Sequence, residues 1–96
     1  MKILWRLEAE VSLIKIENYL IEEFGISVAD KFVLKTVEII NSLKDYPYKG
    51  QLSAKKNEVR KIRLSKTVVA FYTVTKNEIS ILDLFDQRQH PDKSKY

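Results

Sequence analysis

The sequence predicts an α+β fold in two layers, an antiparallel helical hairpin packed on an antiparallel β-sheet in the order β-α-α-β-β-β. Three observations predict it. The hydrophobic period changes from two to between three and four after Leu7. A single glycine, Gly25, divides the helical stretch. The last third is rich in β-branched and aromatic residues and carries a compact turn at Lys76-Asn77.

Residues 2–7 alternate, with Ile3, Trp5 and Leu7 on one side, and read as a short strand. From Glu8 to Phe24, Leu13, Ile16, Leu20 and Phe24 recur at helical spacing among Glu10, Lys15, Glu17, Glu22 and Glu23, which is the pattern of an amphipathic helix. Gly25 ends it in the left-handed region that other residues avoid. Ser27-Val28-Ala29-Asp30 fits a capping box and opens a second helix. Ala29, Phe32, Val33, Thr36, Val37, Ile40 and Leu43 mark its apolar face. It should run to Lys44 or Asp45, because Pro47 blocks continuation. A link of about two residues between the helices makes them an antiparallel hairpin.

Residues 47–57 read as a loop. Three strands then follow, over Val59–Ser65, Thr67–Thr75 and Glu78–Asp86, and form an antiparallel meander. The first strand adds alongside the meander, with its neighbour left open. The tail from Gln87 to Tyr96 is polar, and Pro91 argues against regular structure there.

Ninety-six residues make one domain, 1–96, with enough chain for a core without staples. The absence of cysteine excludes a disulfide scaffold and a thiolate metal site, and is compatible with a cytoplasmic protein. No apolar run approaches the roughly 20 residues that span a bilayer, so no membrane role is expected. Charge is unevenly placed. Glu8, Glu10, Glu17, Glu22 and Glu23 outnumber Lys15 at the front. Between residues 44 and 66, Lys44, Lys49, Lys55, Lys56, Arg60, Lys61, Arg63 and Lys66 face only Asp45 and Glu58. An anionic partner, nucleic acid or an acidic protein segment, fits the basic middle.

Lys61 and Arg63 share a strand face, since side chains two apart point the same way. They could hold a phosphate backbone, or be ordinary cations on a solvated sheet. Arg88 follows the last strand. The meander could bring it beside Lys61 and Arg63, where three cations would stabilise charge on a phosphate; alternatively Arg88 pairs with Asp86. His90, the only histidine, has a suitable pKa for proton transfer but sits in a polar tail. Arg60, Lys61, Arg63, Arg88 and His90 form the candidate binding set. No metal-ligand spacing and no cofactor motif is present. Asp83 and Asp86 differ in strand parity and should face opposite sides. Trp5 and Tyr72 read as core, Tyr46 and Tyr48 as contact residues beside Pro47.

Over nearly its whole length the chain resembles the RelE/ParE superfamily of toxins from bacterial type II toxin–antitoxin systems. The likeness rests on Tyr19-Leu20, Glu23-Phe24-Gly25, Leu43-Lys44-Asp45-Tyr46-Pro47, Gly50 and Val59-Arg60-Lys61-Ile62-Arg63-Leu64. It continues through Val69-Ala70-Phe71-Tyr72-Thr73-Val74 and Ile79-Ser80-Ile81-Leu82-Asp83-Leu84-Phe85-Asp86-Gln87-Arg88. The resemblance implies a cytoplasmic growth inhibitor, of the kind used in plasmid stabilisation, with a cognate antitoxin as partner and no cofactor. ParE-like members poison DNA gyrase. RelE-like members cut mRNA on the ribosome, the ribose 2′-OH attacking the adjacent phosphate. For such an endoribonuclease the resemblance implies catalytic roles for Lys61, Arg63 and Arg88. The family's central-strand arginine falls at Val68 or Val69 here, and its late tyrosine near Ser94, with Tyr96 close by. Some family nucleases use a late histidine, and His90 is near that position. The incomplete set favours a gyrase-directed toxin, with the ribonuclease as the alternative and a degenerate toxin that only binds its antitoxin behind both.

Overall fold

A computed structural model describes residues 1–88 and 94–96. In chain order it contains β1 (Lys2–Trp5), α1 (Leu7–Phe24), α2 (Ile26–Ser42), β2 (Gln51–Leu52), β3 (Val59–Arg63), β4 (Val68–Val74) and β5 (Glu78–Asp86). The α+β order is as the sequence predicts, with one addition. The segment read as loop contains the short strand β2, because its return path places Gln51 against Lys61 and Leu52 against Arg60.

The five strands lie in the order β1-β5-β4-β3-β2. β3, β4 and β5 form the antiparallel meander. β1 joins the free edge of β5 in parallel, so the sheet is mixed rather than wholly antiparallel. The helical hairpin provides the long crossover that a parallel pair requires. Among the described residues no helix is long and apolar enough to cross a membrane.

Gly25 alone joins the helices. Its φ of +95° and ψ of 166° lie in a region essentially reserved for glycine, and its amide closes α1 on the Ile21 carbonyl. The capping box expected at Ser27 does not form: α2 begins at Ile26, which puts Ser27 inside the first turn, and no side chain caps it. Leu7 also changes role. It opens α1 and is 70% exposed instead of continuing the strand's inner face. At the other end α2 stops at Ser42, and a run of turn hydrogen bonds carries the chain to Asp45 and Tyr46 ahead of Pro47.

The main core lies between the layers. Ala9, Ile16 and Leu20 of α1 and Ala29, Phe32 and Ile40 of α2 pack with Ile62, Leu64, Val68, Ala70, Tyr72, Ile79, Ile81 and Leu84. Each large apolar side chain buried there contributes about 1.5–3 kcal/mol. A second, smaller cluster of Val59, Val69, Phe71 and Leu82, with Phe85 and Tyr96 against it, lies apart from the first. Hence the unbroken burial of Val68–Tyr72 in β4, where a strand with one wet face would alternate.

Thr36 is fully buried on α2, and its Oγ1 has no hydrogen-bond partner among the described residues. A buried, unpaired hydroxyl costs about 1–3 kcal/mol. Thr36→Val keeps the shape and removes that cost, so it should raise stability by about 1 kcal/mol. Urea unfolding checks this: the midpoint should rise at an unchanged slope, and a fall would show that the hydroxyl is satisfied.

Candidate functional site

β3 sorts its three cations by parity. Ile62 and Leu64 point into the main core, so Lys61 and Arg63 project from the sheet face away from the helices. Lys61 is half-buried and lines two adjoining clefts. One, of about 350 Å³, is shared with Lys49, Gly50, Gln51, Arg63 and Val69. The other, of about 160 Å³, is shared with Lys55, Phe71, Phe85, Gln87, Ser94 and Tyr96. The sequence pairing of Lys61 with Arg63 therefore holds in space, and Lys49 and Lys55 join them from the loop.

The Arg63 guanidinium donates to the Lys66 carbonyl at 2.8 Å and to Gln87 Oε1 at 3.2 Å, which ties the β3–β4 turn to the end of β5. Arg60, one residue before Lys61, belongs to the opposite parity. It donates to the Gly50 carbonyl at 2.7 Å and lies over the Tyr48 ring, 5.1 Å from its centroid. Arg60 clamps the loop and does not join the cation pair.

The same loop is held from below by Tyr72. The phenol donates to the Pro47 carbonyl at 2.9 Å and accepts from the Gly50 amide at 2.8 Å. Burial pushes its pKa above the ordinary tyrosine value, although the Gly50 hydrogen bond and the Arg60 charge pull it down. The loop carries Lys49 to the cleft because these two bonds fix its path. Tyr46 and Tyr48 remain largely exposed beside it, as the sequence suggested.

Arg88 does not reach Lys61 and Arg63. Its backbone amide and Nε donate to Asp86 Oδ1 at 3.0 and 3.1 Å, and a terminal nitrogen donates to Oδ2 at 2.8 Å. The guanidinium lies 5.3 Å from the ring centroid of Tyr19 on α1, on the helical side of the sheet. Burial alone would raise the Asp86 pKa, but the hydrogen bonds and charge of Arg88 outweigh it and hold the carboxyl below its usual value. Of the two readings open to Arg88, pairing with Asp86 is the one realised.

The register keeps Asp83 and Asp86 in opposite parity: Asp83 is opposite Phe71 of the smaller cluster and Asp86 opposite Val68 of the main core. Ser12 of α1 nevertheless donates to Asp83 Oδ1 at 2.6 Å, because β1 ends at Trp5 opposite Ile81 and leaves this stretch of β5 as an open edge. Tyr72 is opposite Ile81, so Leu82 is an extra, bulged residue that breaks the alternation between Ile81 and Leu84. The carboxylates have separate partners, Ser12 and Arg88.

His90 lies outside the described residues. Tyr96, which the sequence left near but off its expected position, stacks against Phe71 with ring centroids 5.6 Å apart and lines the smaller cleft with Lys61. Its carbonyl accepts from Ser53, and Lys55 Nζ donates to the Ser94 carbonyl at 2.7 Å. No spacing rule would have placed Tyr96 beside Lys55 and Lys61, since it comes from the far end of the sequence.

The chain was compared with known proteins. No sequence among curated proteins matched it. Solved structures did. A chromosomal ParDE toxin–antitoxin system from P. aeruginosa matches with a TM-score of 0.79 and 26% identity, over 90% of this chain and 95% of that one. A YoeB/ParE toxin from Agrobacterium tumefaciens matches with a TM-score of 0.64 and 15% identity, over 90% of this chain and 98% of that one, a likeness of fold alone. A copper-bound mutant toxin from Helicobacter pylori has the same TM-score of 0.64 at 19% identity, over 94% of this chain and 98% of that one, again a likeness of fold. The family model for the ParE toxin of the parDE type II toxin–antitoxin system matches residues 3–91. With the helical hairpin, the five-stranded sheet and the cationic strand in place, the chain belongs to the ParE toxin family of type II toxin–antitoxin systems.

Proposed function

We propose that this toxin arrests growth by binding DNA gyrase, and that its cognate antitoxin relieves the arrest. One observation carries the choice of target. A ribonuclease built on Lys61, Arg63 and Arg88 needs the three cations around one phosphate. Arg88 is instead held by Asp86 over Tyr19, on the other side of the sheet. What remains on the outer face is a basic surface of Lys49, Lys55, Lys61 and Arg63, suited to docking rather than to bond cleavage.

A ribosome-dependent endoribonuclease is the second reading, favoured by one contact: Lys61 and the Tyr96 phenol line a common cleft, which would provide a cation and a proton carrier. The two are separated by adding purified toxin to a gyrase supercoiling assay and, in parallel, to mRNA-programmed ribosomes read by primer extension. Inhibited supercoiling with intact mRNA is the expected result. A-site cuts that vanish in Lys61→Ala, without gyrase inhibition, would replace the first reading with the second.

A further inference from the structure

Tyr46 and Tyr48 flank Pro47 in the loop that leads from α2 to β2, and they are 66% and 65% exposed. With Asp45, Pro47 and Lys49 they line one groove of about 650 Å³. The loop is fixed from two sides. Tyr72 bonds to the Pro47 carbonyl and the Gly50 amide. Arg60 donates to the carbonyls of Tyr48 and Gly50 and lies over the Tyr48 ring. Lys49 also lines the cleft that contains Lys61 and Arg63, so groove and cleft meet at its side chain. The surrounding segment is strongly cationic: between residues 44 and 66, eight lysines and arginines stand against Asp45 and Glu58.

We infer that this loop and the cations beside it bind a single-stranded nucleic acid, with bases stacking on Tyr46 and Tyr48 and phosphates running along Lys49, Lys61 and Arg63. The inference concerns binding, with no bond broken, and it does not depend on the gyrase reading. Every base offers a flat face for an exposed ring, and every nucleotide brings one negative charge for the cations. A duplex offers only the charge, because its bases are already stacked on one another. An acidic polypeptide likewise pairs with the cations but leaves the two rings without a stacking partner. The fixed loop favours binding as well, since rings held in place lose little freedom when a strand arrives.

The test is fluorescence anisotropy with the full-length chain and labelled oligo-dT and oligo-rU of about 20 nucleotides, beside a duplex of the same length and poly-glutamate. Single strands should bind, and the tighter of the two names the source as DNA or RNA. The duplex should bind about fivefold more weakly or worse. Tyr46→Ala/Tyr48→Ala should weaken single-strand binding by about tenfold or more and leave its salt dependence unchanged. Tyr46→Phe/Tyr48→Phe should change it less than about twofold, because the ring faces remain. Lys49→Gln should flatten the slope of log affinity against log salt by about 0.7, the effect of one lost phosphate contact. Lys76→Gln, in the β4–β5 turn, should leave that slope unchanged. All of these side chains are exposed, and circular dichroism confirms folding. Unchanged binding in Tyr46→Ala/Tyr48→Ala, or equal affinity for the duplex, would overturn the inference and leave charge alone at this surface. Poly-glutamate that binds as tightly, and is weakened equally by loss of the two rings, would assign the groove to an acidic polypeptide instead. Absence of single-strand binding at low salt would overturn the inference outright, while the supercoiling assay still judges the gyrase reading by itself.

Discussion

Arg88→Ala should lower the unfolding free energy by about 2–3 kcal/mol at neutral pH. The Asp86 side chain is only 2% exposed, and its three described hydrogen bonds all come from Arg88. Removing the guanidinium leaves a carboxylate buried with its charge uncompensated. The guanidinium itself is 42% exposed, so water already screens the pair, and the loss falls short of the 3–5 kcal/mol typical of a fully buried one. Asp86→Asn should cost less, because Arg88 can turn to solvent.

The pH dependence has a definite sign. Asp86 titrates below its usual value of 3.8 in the folded chain, so its contribution is complete above that value and fades as pH falls through the lowered one. The stability gap between wild type and Arg88→Ala should therefore be widest at neutral pH and narrow in acid. Urea unfolding at both ends of this range measures it, and equal stability at neutral pH would refute the argument. The result bears on function as well. Loss of any activity in Arg88→Ala can be assigned to chemistry only after its loss of stability has been measured.

Gly50→Ala should cost about 1–3 kcal/mol, at the upper end of that range. A Cβ at this position would stand 2.6 Å from the Tyr72 phenol oxygen, 2.7 Å from the Lys61 carbonyl and 2.8 Å from Tyr72 Cε1. None of these can yield easily. Tyr72 is fully buried, and the Lys61 backbone is paired with Gln51. The methyl group would also displace the amide of Gly50 from the phenol it donates to. In a Tyr72→Phe background the same substitution should cost less, because one of the close atoms and that hydrogen bond are already gone. A double-mutant cycle by urea unfolding reads this coupling, and strict additivity would show that the loop relaxes independently of Tyr72. The loop carries Lys49 to the cleft beside Lys61, so the same variant should loosen the basic surface proposed to dock gyrase.

The placement of Tyr72 and Arg88 shows where sequence reasoning reached and where it stopped. Tyr72 was legible as core because it sits in a run of β-branched and aromatic residues. Its role as a peg under the Pro47–Gly50 loop was not, since that depends on two hydrogen bonds across 22 and 25 residues. Arg88 was legible as a choice between Asp86 and the Lys61–Arg63 face. The Leu82 bulge, which breaks the alternation between Ile81 and Leu84, leaves no mark in a two-residue period.

The sequence by itself determined the order of elements, the break at Gly25, the antiparallel meander and the common face of Lys61 and Arg63. These follow from local periods and from backbone conformations that single residues permit or forbid. Only the tertiary structure decided that β1 runs parallel to β5, that Lys49, Lys55 and Tyr96 meet Lys61, and that Arg88 faces the helices. Each of these depends on contacts between distant segments, whose free energy comes from mutual burial and pairing and is not encoded in the spacing of neighbours.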